Sequence, residues 1–180
     1  MKRLTAGLLA VLVLALSACG GKGEPTPTPA STPTPTATGT PSQAELSAMA
    51  EETYRTFFAE WTRLEREGGA TEPTPAMRAT ATDQYLESVM AFLRDQKQTG
   101  YRIVGPMATA RAIAAPGGDF AGIDPQLTLK VCEDSSHTTY TVDGTEDRGY
   151  LVEGVVYFRF VADRPKLVTG TTQRVDQCSF

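Results

Sequence analysis

The chain has 180 residues, a mass of 19.3 kDa and a net charge of −4, which leaves room for one domain of ordinary size and excludes large multidomain machinery. Apolar residues make up 41% of it, enough for a core, but no aromatic residue falls before Tyr54, so that core belongs to the remainder of the chain. An acidic balance with no Lys/Arg cluster beyond the extreme N-terminus argues against a nucleic-acid partner, which would leave a basic footprint.

Lys2 and Arg3 precede an apolar stretch from Leu4 to Ala18, the order of charge, apolar run and small residues that marks a signal peptide over residues 1–18. The run falls short of the roughly 20 apolar residues that a spanning helix needs, and Gly20-Gly21-Lys22-Gly23-Glu24 ends it. Leu16-Ser17-Ala18-Cys19 resembles the bacterial lipoprotein lipobox: an aliphatic residue, two small ones, then Cys. The resemblance implies cleavage before Cys19 and a diacylglycerol in thioether linkage on its sulfur. The chain would then be anchored to the bilayer at the extracytoplasmic face of the bacterial cell membrane. Two acyl chains on one residue supply the second anchoring signal that a single chain lacks. Loss of Lys2 and Arg3 takes the charge from −4 to −6, so the lipid, and not electrostatic attraction, would hold the mature chain at an anionic surface.

Residues 25–41 are rich in Pro and Thr, with six prolines, and can neither bury apolar area nor build a hydrogen-bond ladder. Residues 19–42 are therefore expected to be a lipidated Cys followed by a disordered, extended tether. At about 3.1 Å per residue it reaches on the order of 70 Å. Its composition is also one that O-glycosylation uses in secreted proteins.

A single domain is expected over residues 43–180. Ser42-Gln43-Ala44-Glu45 fits a capping box. Leu46, Met49, Ala50, Tyr54, Phe57, Phe58, Trp61 and Leu64 recur at three- and four-residue spacing, which predicts a long amphipathic helix stopped by Gly68-Gly69. A second helix opens at Thr74-Pro75, carries Met77, Ala81, Tyr85, Leu86, Val89, Met90 and Leu93 on one face, and ends at Gly100.

The period then changes from 3.6 to 2. Met107 to Ala114, Gln126 to Cys132, Thr138 to Val142, Gly149 to Val161 and Leu167 to Val175 read as strands. Asp143-Gly144 signals a hairpin, with a loop longer than two residues, and Gly154 suggests a bulge. Two helices packed on a curved antiparallel sheet of about 4–6 strands make an α+β layer arrangement.

With Cys19 assigned to lipid, Cys132 and Cys178 remain as an even pair in an oxidising compartment, where a disulfide between them is expected. A catalytic thiol or a metal site lacks partners: one His and no Cys-x-x-Cys cannot furnish four zinc ligands, so no metal and no cofactor is expected.

The segment from about Ala44 to Cys178 resembles the nuclear transport factor 2-like superfamily, in the version found among actinobacterial secreted proteins and lipoproteins. The residues that carry the resemblance are Ala50-Glu51-Glu52-Thr53-Tyr54-Arg55-Thr56-Phe57-Phe58, the second helix between Thr74-Pro75-Ala76-Met77 and Lys97-Gln98-Thr99-Gly100, and Leu127 to Ser136 with a terminal Cys178. It implies a curved sheet wrapped around a helix to form a cone, open to a ligand or filled by side chains. Enzymes of that superfamily carry an Asp base with Tyr or Asp donors, or a His–Asp pair. His137 falls in the polar Glu133-Asp134-Ser135-Ser136 loop, Asp83 on an exposed helix face, and Asp119, Asp124 and Asp143 in turns, while Glu146-Asp147-Arg148 reads as a solvated loop. No catalytic residue is expected.

The favoured reading is a non-catalytic lipoprotein domain that binds an envelope protein, with Tyr54, Phe57, Trp61, Tyr85 and Tyr157 as candidate cavity residues filling the interior. The alternative is a carrier or sensor of a small apolar molecule, with those residues lining a pocket. An isomerase-like or dehydratase-like enzyme ranks third. A connected apolar pocket below about 150 Å³ would leave no room for a ligand, and a buried carboxylate beside a Tyr in a larger one would bring the enzyme forward.

Overall fold

The computed structural model describes residues 40–117 and 125–180. The signal peptide, Cys19 with its lipobox, the tether up to residue 39, Asp119 and Asp124 lie outside the described residues.

Among the described residues, three helices are followed by seven strands in two antiparallel sheets, an α+β architecture. Helix α1 (Gln43–Arg66) opens with the expected reciprocal cap: the Glu45 N–H donates to Ser42 Oγ at 3.3 Å, and the Ser42 N–H donates to Glu45 Oε2 at 2.7 Å. Its apolar stripe buries Ala50, Tyr54, Phe57 and Leu64.

The second expected helix is two. Helix α2 (Pro75–Thr80) and helix α3 (Asp83–Thr99) are separated by Ala81 and Thr82, whose backbones are extended. The Thr82 N–H donates to the Leu167 carbonyl at 2.8 Å, and Ala81 forms an isolated bridge to the same residue. A tertiary backbone bond has displaced the helical one. Helix α3 ends at Gly100 in the left-handed conformation, φ 68°.

Strands β1 (Arg102–Val104), β4 (Thr139–Val142) and β5 (Thr145–Arg148) form one sheet in the order β1-β4-β5. Strands β2 (Thr109–Ala115), β3 (Leu127–Asp134), β6 (Leu151–Val161) and β7 (Arg164–Val175) form the other in the order β2-β3-β6-β7. The β4–β5 turn is shorter than expected: Val142 pairs with Thr145, so Asp143 and Gly144 alone make the loop, both at positive φ (49° and 78°). That geometry matches the twist of the flanking strands.

Gly154 marks no bulge, because it stays in register with Thr172. A Cβ there would lie 2.1 Å from the Thr171 carbonyl oxygen, so its role is close strand approach. The irregularity falls further along. Tyr157 pairs with Thr169 and Phe158 with Leu167, which leaves Val168 as the extra residue on β7.

Leu127, Leu129 and Val131 of β3, Val156 and Phe158 of β6, and Leu167 of β7 pack against Met77, Leu86, Val89, Met90, Leu93 and the α1 stripe in one core. On β3, Cys132 points the other way, and there the Cys132–Cys178 disulfide forms, with Cα atoms 6.1 Å apart and 46 residues between them in sequence. It fastens the C-terminal residues to the sheet. Ser179 Oγ donates to Glu153 Oε1 at 2.8 Å and accepts from Lys130 Nζ at 2.7 Å. The Phe180 ring lies within cation–π distance of Arg111 and Lys130.

Candidate functional site

The core is solid at one end of the layers and hollow at the other. A cavity of about 760 Å³ opens there, with walls from all three regions of the fold. Helix α1 contributes Tyr54, Phe57, Phe58, Trp61, Thr62 and Glu65, whose three- and four-residue spacing puts them on one face. Helix α3 adds Tyr85 and Phe92, seven residues apart. The four-stranded sheet supplies Glu133, Val152, Val156, Gly170 and Thr172, and the small sheet supplies Tyr140, Val142, Thr145, Asp147 and Arg148.

The aromatic rings touch in a chain. Phe57 meets Trp61 edge-on at 5.7 Å and Tyr85 at 5.5 Å, and Trp61 reaches Phe92 at 5.8 Å. Tyr101 and Tyr140 pair at 5.3 Å. Such contacts stabilise the rings against one another.

Two carboxyl groups stand among them. Glu133 extends the inward row of Leu127, Leu129 and Val131 by one more alternation of β3, and Tyr54 donates its hydroxyl to Glu133 Oε1 at 2.5 Å. Burial raises the Glu133 carboxyl above the usual range, and the Tyr54 hydrogen bond opposes that rise. Glu65 follows Trp61 by one helical turn. Burial raises it as well, hydrogen bonds from Trp61 and Gln96 lower it, and the charge of Glu133 raises it again. Gln96, 2% exposed, holds Glu65 Oε1 from behind at 3.0 Å. The same burial and the Glu133 charge push the Tyr85 hydroxyl up to about 12 and raise the Tyr54 hydroxyl.

Tyr54, Phe57, Trp61 and Tyr85 are therefore brought together at one cavity, whereas Tyr157 is not among its lining residues. Val156 lines the cavity, and Tyr157, next to it on β6, faces the opposite side of the sheet. His137 is exposed in the turn between β3 and β4, Asp83 is the exposed first residue of α3, and Asp143 sits in the hairpin turn. Glu146-Asp147-Arg148 is not a loop but strand β5, and Asp147 and Arg148 reach the cavity wall.

Glu65 and Glu133 were not singled out by the sequence reading. The available signals were the position of Glu65 four residues after Trp61 and the even alternation that carries Glu133 inward.

No helix among the described residues is long and apolar enough to cross a membrane. No group of three His, Cys, Asp or Glu side chains among them is placed to hold a metal ion. Comparison with known proteins returns no matching family model, no matching curated protein and no matching solved structure.

Proposed function

We propose that this chain is a lipid-anchored extracytoplasmic lipoprotein whose domain carries or senses a small, largely apolar molecule in its cavity. The observation that carries the reading is the size of the space: about 760 Å³ lies within the roughly 300–1,000 Å³ of ordinary ligand pockets. Rings that filled the interior would leave far less. The cavity thus favours a ligand over a purely surface role toward an envelope protein. The lipobox at Cys19 and the Pro/Thr tether support a domain displayed at a distance from the bilayer. A long helix laid against an antiparallel sheet with a hollow end supports a nuclear transport factor 2-like cone. The division into two sheets, β1-β4-β5 and β2-β3-β6-β7, is a departure from the single curved sheet expected.

Native mass spectrometry of the chain extracted from its own membrane tests the reading. A co-purifying small molecule is expected, and it should be lost when Val152 on the cavity wall is replaced by Trp. A ligand-free wild-type chain would count against the carrier role. Loss of radiolabelled palmitate incorporation in Cys19→Ser tests the anchor.

A second reading rests on the Tyr54–Glu133 pair. A half-buried carboxyl held above its usual range and hydrogen-bonded to a Tyr inside a pocket is an arrangement suited to proton transfer. Turnover of a bound molecule that Glu133→Gln abolishes without loss of binding would select this reading over simple carriage.

A further inference from the structure

We propose that the cavity selects an organic cation: a molecule with an aromatic or aliphatic body and one ammonium group, held between Glu133 and Glu65 and the faces of the surrounding rings. The proposal rests on the pocket reading above and names the chemistry of its occupant.

Space and wall chemistry come first. The cavity is large enough for a ligand of drug-like size. Its walls include Tyr54, Phe57, Trp61 and Tyr85, ring faces of the kind that attract ammonium groups by their quadrupole. An apolar guest alone would be served by such walls.

The acidic groups are what an apolar guest leaves unexplained. Glu65 enters from α1 and Glu133 from β3, both lining the cavity, and the Glu133 charge acts unfavourably on the ionised form of Glu65. Their hydrogen-bond partners are Tyr54, Trp61 and Gln96, all of them neutral. Neither carboxyl belongs to an ion pair among the described residues. Gln96 is buried and directs its amide N–H at Glu65, while its Oε1 has no hydrogen-bond partner among the described residues. That is a costly arrangement for a residue whose only task is packing.

The other charged residues at the wall are Asp147 and Arg148, adjacent and opposite in sign on exposed strand β5, and Arg148 is in no ion pair with Glu65 or Glu133. A half-buried carboxylate loses part of its hydration, a cost that a counter-charge offsets. A ligand ammonium supplies that counter-charge. An anionic ligand such as a fatty acid would meet two carboxylates, and a neutral one would leave them as they are. The net charge of −4 also favours the approach of a cation.

Trp61 is the one Trp of the chain and lines the cavity, so its fluorescence reports occupancy. The full chain in detergent is titrated near neutral pH with phenylbutylamine, phenylbutanol and phenylbutanoate, which share one skeleton and differ in head group, and isothermal calorimetry supplies the affinities. The amine should bind at least about tenfold more tightly than the alcohol, about 1.4 kcal/mol, and the carboxylate most weakly. Glu133→Gln and Glu65→Gln should each reduce amine affinity several-fold and leave alcohol affinity within about twofold. The two variants are independent, so failure of one to fold leaves the other to decide. Equal affinities for amine and alcohol, or amine binding unaffected by both substitutions, would overturn the cation assignment and leave the apolar pocket standing. No fluorescence or calorimetric response to any of the three probes would overturn the cation assignment and the pocket reading together.

Discussion

Tyr54 and Glu133 are 79 residues apart in sequence, and the tyrosine hydroxyl donates to the carboxylate at 2.5 Å on the cavity wall. This bond ties α1 to the end of β3 at the point where solid core gives way to hollow. Tyr54→Phe removes the donor and leaves the carboxylate without it. A loss of about 1–3 kcal/mol is expected near pH 7, with a smaller loss at about pH 4.5, where the carboxyl is more fully neutral. Urea unfolding at the two pH values measures both, and a variant as stable as wild type at pH 7 contradicts the expectation.

Stability should respond to pH through Glu65 and Glu133. Both are raised above the ordinary value of 4.5, so the folded chain binds more protons than the unfolded one in a window that starts near 4.5 and extends up through the raised values. Their contribution is complete below that window and is lost as pH rises through it. The double variant Glu65→Gln/Glu133→Gln stays neutral throughout. Its stability relative to wild type should therefore increase between about pH 4.5 and pH 7.5. Glu45, Asp134 and Glu153, which are lowered by hydrogen bonds, are common to both chains and cancel in the difference. A flat difference across the window rejects the assignment.

The helices and their ends were legible in the sequence because each is encoded within a few residues. Ser42 and Glu45 cap α1, Thr74 and Pro75 open α2, and Gly100 closes α3. Three features were not. Strand β5 is exposed at every position, so it has no apolar alternation to betray it, and it is held in place by pairing with β4. The break at Ala81 comes from Leu167, more than eighty residues away, and leaves no local mark. The assignment of β1 and β4 to a separate sheet is likewise set by long-range pairing. At the site, the aromatic stripe of α1 was plain, while Glu65 was hidden because a carboxylate beside an apolar face looks like an edge of the pattern, and Glu133 because it reads as the start of the polar loop before His137, although β3 continues through Asp134.

The Cys132–Cys178 bond closes a separation of 46 residues, for which the chain-entropy model gives about 4 kcal/mol. Cys132→Ala/Cys178→Ala should lose stability of that order. It should also free the contacts of Ser179 and Phe180 with Glu153, Lys130 and Arg111, which depend on the anchored chain end. Urea unfolding with and without reductant tests this: reductant should lower the midpoint of wild type and leave the double variant unmoved.

Gly154→Val should destabilise more than an exposed strand position normally would. The added Cβ would fall 2.1 Å from the Thr171 carbonyl oxygen, which forces β6 and β7 apart. Overpacking of this kind costs about 1–3 kcal/mol. Thermal unfolding should register the loss, and amide exchange should quicken along the β6–β7 ladder and not in α3.

The extra residue Val168 lets β7 turn both Leu167 and Gly170 to the same side, although they are three positions apart. Without it, one of the two would face outward. Leu167 is sealed in the core beside Phe158, while Gly170 and Thr172 line the open space. One strand is thereby split into a half sealed in the core and a half that both pairs with β6 and walls the open space. A change of side chain at Thr172 therefore alters the wall of the open space and leaves the sealed contacts of Leu167 in place.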